Sequence, residues 1–226
     1  MHSESTAPAQ APADLLRDRL TRGGGRMAVI AATTLVWLMD LLLAQHLERD
    51  QVIEPSLKAV VTGIERAGTL VFVVVTLGLV IALLRGLRRS LFRWGLVYLS
   101  FSVLQVIANV MAMIFTSGHH QGAGLTSLWD VAAVYMESVL VFMFIYVFID
   151  VSTPGGAFVW PSREGEPPPV PHLIDYLFIS LNVNSTYGPT SEDLVSRPAK
   201  LVMSLQVLLA ILILTVLIAR AASSIN

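Results

Sequence analysis

Five apolar runs, each long enough to cross a lipid bilayer, constrain this chain more than any other feature. The hydrocarbon core of a bilayer is about 30 Å thick, and a helix crosses it with roughly 20 apolar residues. The runs are Met27–His46, Gly68–Leu84, Leu91–Phe115, Trp129–Ile149 and Leu201–Ala219. Charged residues make up only 14% of the chain, whereas they make up roughly a quarter of a soluble domain. We therefore expect an all-α polytopic membrane protein with about five transmembrane helices.

The order of these runs divides the chain into three regions. Residues 1–26 are polar, and we expect a disordered tail with one short amphipathic helix on the membrane surface, because leucines recur there at helical spacing between charges. Residues 27–126 are expected to form a three-helix transmembrane region. Residues 127–226 form a separate module, in which two spans are joined by a long insert.

Composition and motif content argue against several function classes. The chain has no cysteine, so disulfides, thiolate metal sites and cysteine nucleophiles are excluded. Its formal net charge is −1 and it has no basic patch that would indicate nucleic-acid binding. Neither a G-x-S-x-G nor an H-E-x-x-H motif nor a phosphate-binding loop is present. We expect neither an enzyme nor a protein with a bound cofactor.

The insert between the fourth and fifth runs, from Asp150 to Lys200, is unlike an ordinary loop. Its triple proline, Pro167–Pro169, favours a stiff polyproline II segment. The stretch "HLIDYLFISLN" that follows Pro171 has room for about three helical turns, which is too short to span a bilayer. A short apolar helix followed by polar residues and bracketed by two full spans predicts a re-entrant loop. Irregular backbone at membrane depth must be buried in protein or line a water-filled cavity.

Four pieces of this module form a recognisable series. The run ending "VFMFIYVFID" leads into "PGGAF" (154–158), and "DYLFIS" (175–180) is similar to a pore-helix pattern D-x-L-Y-F-S. "STYGPTSED" (185–193) falls where a filter T-x-G-Y-G-D would stand, and "SRPAKLVMSLQVLLAILILTVLIAR" (196–220) follows as an inner helix. From Trp129 to Ala221 the chain thus resembles the bacterial, potassium-channel-like tetrameric cation channels.

The resemblance implies a pore-forming subunit of a homotetramer in the bacterial cell membrane, surrounded by the lipid bilayer, with potassium or sodium as the permeant ion. It also implies roles for individual positions. The filter and pore-lining residues would be Asn182, Asn184, Ser185, Thr186, Tyr187, Gly188, Pro189 and Thr190. The pore mouth would be formed by Ser191, Glu192 and Asp193, and the inner helix would contribute Gln206 and Ala210.

The filter departs from the family pattern in three consecutive positions. Pro189 replaces the aromatic residue, Thr190 the second glycine and Ser191 the aspartate. Proline has no N–H to hold a filter strand, and threonine reaches the backbone angles of the glycine only with strain. Ala210 also replaces the glycine of the inner helix. We therefore expect a filter that discriminates potassium from sodium poorly.

Acidic residues within or near the apolar runs leave another function open. They are Asp40, Asp130, Glu137 and Asp150, of which Glu137 lies deepest. Such charges are costly in a membrane and face a bundle interior or water. A small proton-coupled transporter would use Glu137 as its carrier, whereas a channel needs it only as an ion-pair or hydrogen-bond partner of a neighbouring helix. The further alternative is a non-conducting scaffold derived from a channel.

The orientation of the pore loop receives two conflicting indications. Arg85, Arg88 and Arg89 lie between two apolar runs and Arg93 lies at the start of the second run. We interpret these four residues as a topology signal rather than as the intramembrane arginines of a voltage sensor. By the positive-inside rule, these arginines and those of the N-terminal tail indicate that the side of the membrane carrying the insert is cytoplasmic. The family resemblance places the pore loop outside the cell, and that is the orientation expected here.

Overall fold

The computed structural model describes residues 12–21, 27, 29–31, 33–38, 70–71, 73–81, 84–85, 88–116, 124–162, 164, 166–185 and 192–223. This part of the chain is mostly helical. Its helices are α1 (Pro12–Thr21), α2 (Arg88–Thr116), α3 (Gly124–Ser152), α4 (Leu173–Asn184) and α5 (Arg197–Ser223). Two short strands, β1 (Phe158–Val159) and β2 (Asp193–Leu194), complete the labelled elements.

Three helices are long and apolar enough to cross a membrane. Their candidate spans are Arg93–Met111 in α2, Val131–Ser152 in α3 and Arg197–Ala219 in α5. They show a membrane-integral protein and agree with three of the five predicted runs. The described parts of the other two runs, including residues 33–38 and 73–81, are helical as well. The remainder of those two runs lies outside the described residues.

Helix α3 is the centre of the bundle, since α1, α2, α4 and α5 all pack against it. Within its candidate span 61% of the residues are buried, compared with 28% in the span of α5. Helix α2 runs antiparallel to α3. Gly95 of α2 lies against the ring of Phe148, where a Cβ atom would be only 2.9 Å from the ring. The missing side chain therefore permits the close approach of the two helices.

Several elements meet where α3 ends. Strand β1 follows α3 and pairs antiparallel with β2, in the register Phe158 with Leu194 and Val159 with Asp193. We call this end of the bundle the loop end. It carries α1, the described residues from 151 to 172, both strands and the first turns of α2 and α5. The amphipathic helix predicted in the N-terminal tail is present as α1, with Leu16 almost fully buried. Its packing against α3 places α1 at the loop end.

Candidate functional site

A sharp corner connects α3 to the insert, and the buried carboxylate of Asp150 holds it. Asp150 Oδ1 accepts hydrogen bonds from the backbone N–H groups of Ala157 at 2.5 Å and Phe158 at 3.2 Å. The Tyr176 hydroxyl of α4 donates to Asp150 Oδ2 at 2.5 Å. We call Asp150, residues 156–158 and Tyr176 the Asp150 corner.

The shape of the Asp150 corner depends on a glycine and on aromatic packing. Gly156 has φ +91°, and a Cβ atom there would lie 3.1 Å from Asp150 Oδ1, so both backbone conformation and space favour glycine. Phe158 then packs edge-on against Tyr146 and Tyr176, with ring centroids 5.8 and 5.9 Å apart. Trp160 packs edge-on against Tyr176 at 5.3 Å. These contacts fix where α4 begins relative to the end of α3.

The polar face of α4 is turned towards α3 and α5 of the same chain. Gln206 Nε2, from α5, lies 2.9 Å from Asn184 Oδ1, 2.9 Å from Ser180 Oγ and 3.0 Å from the Ser180 carbonyl oxygen. Its Oε1 accepts a hydrogen bond from the Tyr146 hydroxyl at 2.5 Å. Ser180 Oγ in turn donates to the carbonyl of Val139 at 2.7 Å. We call Tyr146, Ser180, Asn184 and Gln206 the Gln206 network.

Two further contacts extend the Gln206 network towards the end of α4. Asn184 Nδ2 donates to the Tyr135 carbonyl at 3.4 Å, and the Tyr135 hydroxyl lies 3.3 Å from Ser185 Oγ. Ser185 Oγ also donates to the carbonyl of Leu181 at 2.7 Å. A polar group buried in an apolar bundle is costly unless it is hydrogen-bonded. Ser180 and Asn184, the buried polar residues in the last turns of α4, are thus hydrogen-bonded by α3 and α5.

The Gln206 network also fixes the depth of α4. Gln206 lies nine residues beyond Arg197, so it is about 14 Å along α5 at 1.5 Å per residue. Asn184, which contacts Gln206, therefore lies partway along the span of α5. Asp193 lies back at the loop end, because it pairs with Val159. The described residues on the two sides of positions 186–191 are consequently at different depths of the bundle.

The structure separates those predicted pore residues that it describes. Asn184 and Gln206 come together in the Gln206 network, whereas Ala210 is buried elsewhere on α5. Asn182 is half-buried, and its Nδ2 has no hydrogen-bond partner among the described residues. Glu192 and Asp193, half-buried and exposed respectively, lie at the loop end. The positions outside the described residues are Thr186, Tyr187, Gly188, Pro189, Thr190 and Ser191.

The deepest acid, Glu137, lies in the interface between α3 and α2. It is 2% exposed, and its Oε2 accepts a hydrogen bond from Asn109 Nδ2 at 2.9 Å. A structural role for Glu137 predicts a hydrogen-bond partner on a neighbouring helix, and Asn109 of α2 is such a partner. Asp40 and the side chain of Asp130 lie outside the described part of the chain. Among the described residues, no three His, Asp or Glu side chains are grouped as metal ligands.

Sequence reasoning missed the contacts that position α4. Tyr135 and Tyr146 were not singled out, and Tyr176 and Ser180 were considered only as part of the pore-helix pattern, although each supplies a polar contact to the Gln206 network or the Asp150 corner. One available signal was the spacing of Ser180 and Asn184, four residues apart and hence on one face of a helix. The other was Gln206, an amide within an otherwise apolar run.

Comparison with known proteins identifies no relative. No protein-family model, curated protein or solved structure matches the chain. The likeness to tetrameric cation channels accordingly stays a prediction from the sequence between Trp129 and Ala221.

Proposed function

We propose that the chain is the pore-forming subunit of a homotetrameric, poorly selective cation channel in the bacterial cell membrane. In this proposal α4 and the residues after it form a re-entrant pore loop, and Met27–His46 and Gly68–Leu84 add two spans to α2, α3 and α5. The observation that carries the proposal is the bond between Gln206 and Asn184. It supports a position of the α4 C-terminus at membrane depth, while β1 and β2 hold both ends of the insert at the loop end.

The direction of α4 suits a cation. A helix C-terminus carries a partial negative charge, and α4 brings this charge into the bundle at the depth of Gln206. The next residues, from Ser185 to Ser191, include hydroxyl side chains and backbone carbonyls that are able to coordinate a partly hydrated ion. At the loop end Glu192 and Asp193 would raise the local concentration of cations at the mouth.

The surface of α5 supports assembly of several chains around an axis. One re-entrant loop cannot enclose a pore by itself, so a channel of this design needs other copies. Leu201, Leu208 and Ile218 are each more than 60% exposed in the single chain. Ile174 and Phe178 expose a second apolar surface on α4. These surfaces are suited to contact lipid and neighbouring subunits.

A non-conducting scaffold is the second candidate, and the contacts of Asn184 in the Gln206 network support it. The amide of Asn184 is fully buried and engaged by Gln206 and Tyr135 of its own chain. Polar groups used in this way hold helices together and are not displayed to an ion. The scaffold would share the same re-entrant fold but would show no ion flux.

Ion flux from reconstituted vesicles separates the two candidates. Vesicles loaded with potassium or with sodium and containing the purified protein should release both ions faster than empty vesicles. The matched variant, Glu192→Gln with Asp193→Asn, should reduce the flux because it removes the charge at the mouth. Absence of flux from vesicles with verified insertion, or a monomer or dimer in detergent, would overturn the proposed channel.

A second measurement addresses the filter. The wild-type reversal potential should lie between those of potassium and sodium, because Pro189 and Thr190 do not support a cage of carbonyl groups. The double change Pro189→Tyr and Thr190→Gly should move it towards the potassium value. A wild-type reversal potential that follows the potassium gradient alone would contradict this account of the filter.

A further inference from the structure

Basic residues gather at the loop end of the bundle. Helices α2 and α5 begin there and α1 packs there, so their charged first turns come together although they are distant in sequence. The lysines and arginines at or next to this end, among the described residues, are Arg17, Arg19, Arg85, Arg88, Arg89, Arg93, Arg197 and Lys200. At the opposite end of the same helices, the described residues include one basic residue, Arg220.

Direct contacts hold α1 at this end. Arg17 donates a hydrogen bond to the carbonyl of Val151, in the last turn of α3. Arg19 Nη1 lies 3.2 Å from Nε2 of His172, the residue before α4. Ala13 and Leu16 are buried, and Ala13 Cβ lies 3.4 Å from the position of a Cβ atom at Gly156. The basic helix α1 therefore lies at the same end of the bundle as both ends of the insert.

The antiparallel register of α2 and α3 places the second basic group there too. Gly95 lies at the level of Phe148, near the end of α3, whereas Asn109 lies at the level of Glu137. The start of α2, with Arg88 and its neighbours, is thus beside the insert. Lysines and arginines within about 15 to 20 residues of a span set the orientation of a membrane protein, with the basic side in the cytoplasm.

We infer that the loop end faces the cytoplasm, against the anionic headgroups of the inner leaflet, and that the insert enters the membrane from the cytoplasmic side. This orientation is opposite to the one that the family resemblance implies. It depends on the contacts of α1 and on the charge distribution, and it holds whether or not the protein conducts ions. If the proposed channel function is also correct, Glu192 and Asp193 form a cytoplasmic mouth.

Single cysteines test the orientation cleanly, because the chain has none of its own. Ser162→Cys marks the exposed insert and Leu15→Cys marks the exposed face of α1. Ser117→Cys marks the residue that follows α2 in the sequence, because the last turn of α2 lies at the opposite end of the bundle. The probe is a membrane-impermeant maleimide, applied to right-side-out and to inside-out membrane vesicles that contain the full chain. Labelling after detergent shows that each cysteine is reactive.

We expect Ser162→Cys and Leu15→Cys to be labelled in inside-out vesicles and protected in right-side-out vesicles, with Ser117→Cys showing the reverse pattern. Labelling of Ser162→Cys in right-side-out vesicles, with protection of Ser117→Cys, would overturn the inference. Opposite patterns for Leu15→Cys and Ser162→Cys would overturn the contact between α1 and the insert on which it depends. Ion flux is measured separately, so failure of the orientation is distinguishable from failure of the channel function.

Discussion

The two sides of α3 are packed in different ways. Towards α2, the close approach at Gly95 and Phe148 is apolar, and Asn109 with Glu137 supplies a hydrogen bond between the helices. Towards α4 and α5, the Gln206 network and the Asp150 corner place several polar groups in contact. Both sides nevertheless belong to the same buried core.

The difference follows from the lengths of the partner helices. Helix α2 has 29 residues and α4 has 12, so α4 has less apolar surface with which to fix its position. Apolar packing in a lipid environment also distinguishes poorly between neighbouring depths, because lipid is as apolar as the helix surface. Directional hydrogen bonds from Asp150 and Gln206 specify the beginning and the depth of α4. A short helix inside a membrane bundle thus relies on polar contacts that a full span does not need.

The largest expected effect comes from removing the acceptor of the Asp150 corner. Asp150→Ala leaves two backbone N–H groups and the Tyr176 hydroxyl buried without an acceptor, at about 1 to 3 kcal/mol for each unsatisfied group. We expect the free energy of unfolding to fall by about 3 kcal/mol or more, measured by thermal or denaturant unfolding in detergent. Asp150→Asn, which keeps one acceptor oxygen, should lose less. Wild-type stability of Asp150→Ala would show that the corner does not hold α4.

A double-mutant cycle examines the Gln206 network. Gln206→Met and Asn184→Ala should show a coupling free energy of about 1 kcal/mol, in the range measured for hydrogen bonds between membrane helices. Gln206→Met combined with Asn109→Ala is the matched control, and its effects should add because Asn109 bonds to Glu137 on the other side of α3. Equal coupling in both cycles would mean that the two interfaces do not differ as described.

The smallest effect is expected at the interface with α2. Glu137→Gln keeps an oxygen that accepts from Asn109, so the free energy of unfolding should change by about 1 kcal/mol or less. Glu137→Ala should be clearly less stable, since it leaves the Asn109 amide without this acceptor. If Glu137→Gln folds normally but abolishes transport in the vesicle assay, Glu137 acts as a proton carrier and not as a structural partner.

The spans of the described helices could be predicted from the sequence because an apolar run reports directly on burial in lipid. Leu91–Phe115, Trp129–Ile149 and Leu201–Ala219 all lie inside observed helices, which extend further at both ends. The helix α4 was also predicted, from the stretch after Pro171. In each case the sequence pattern within one helix was sufficient to predict that helix, because the pattern involves only residues that are close in sequence.

The contacts that position these helices could not be predicted in the same way. Asn184 was assigned to a pore on the basis of its place in the loop, yet the side to which a helix turns depends on its neighbours. In the structure its neighbours include Gln206, 22 residues away. Two donors to Asp150 are backbone N–H groups, at Ala157 and Phe158. A backbone N–H group is present at almost every residue, so no pattern of side chains identifies the ones that bond to Asp150. The Asp150 corner could therefore not be predicted from the sequence.

The ladder between β1 and β2 has a consequence for chain length. The ladder pairs Val159 with Asp193 and so closes the insert into a loop. The entropic contribution to the free energy of closing a flexible loop increases by only about 0.6 kcal/mol for each doubling of the loop length. The described residues between Pro161 and Pro169 are exposed and lie outside both strands and α4. This stretch is therefore the place where homologous chains should vary in length and where a tag can be inserted without displacing α4.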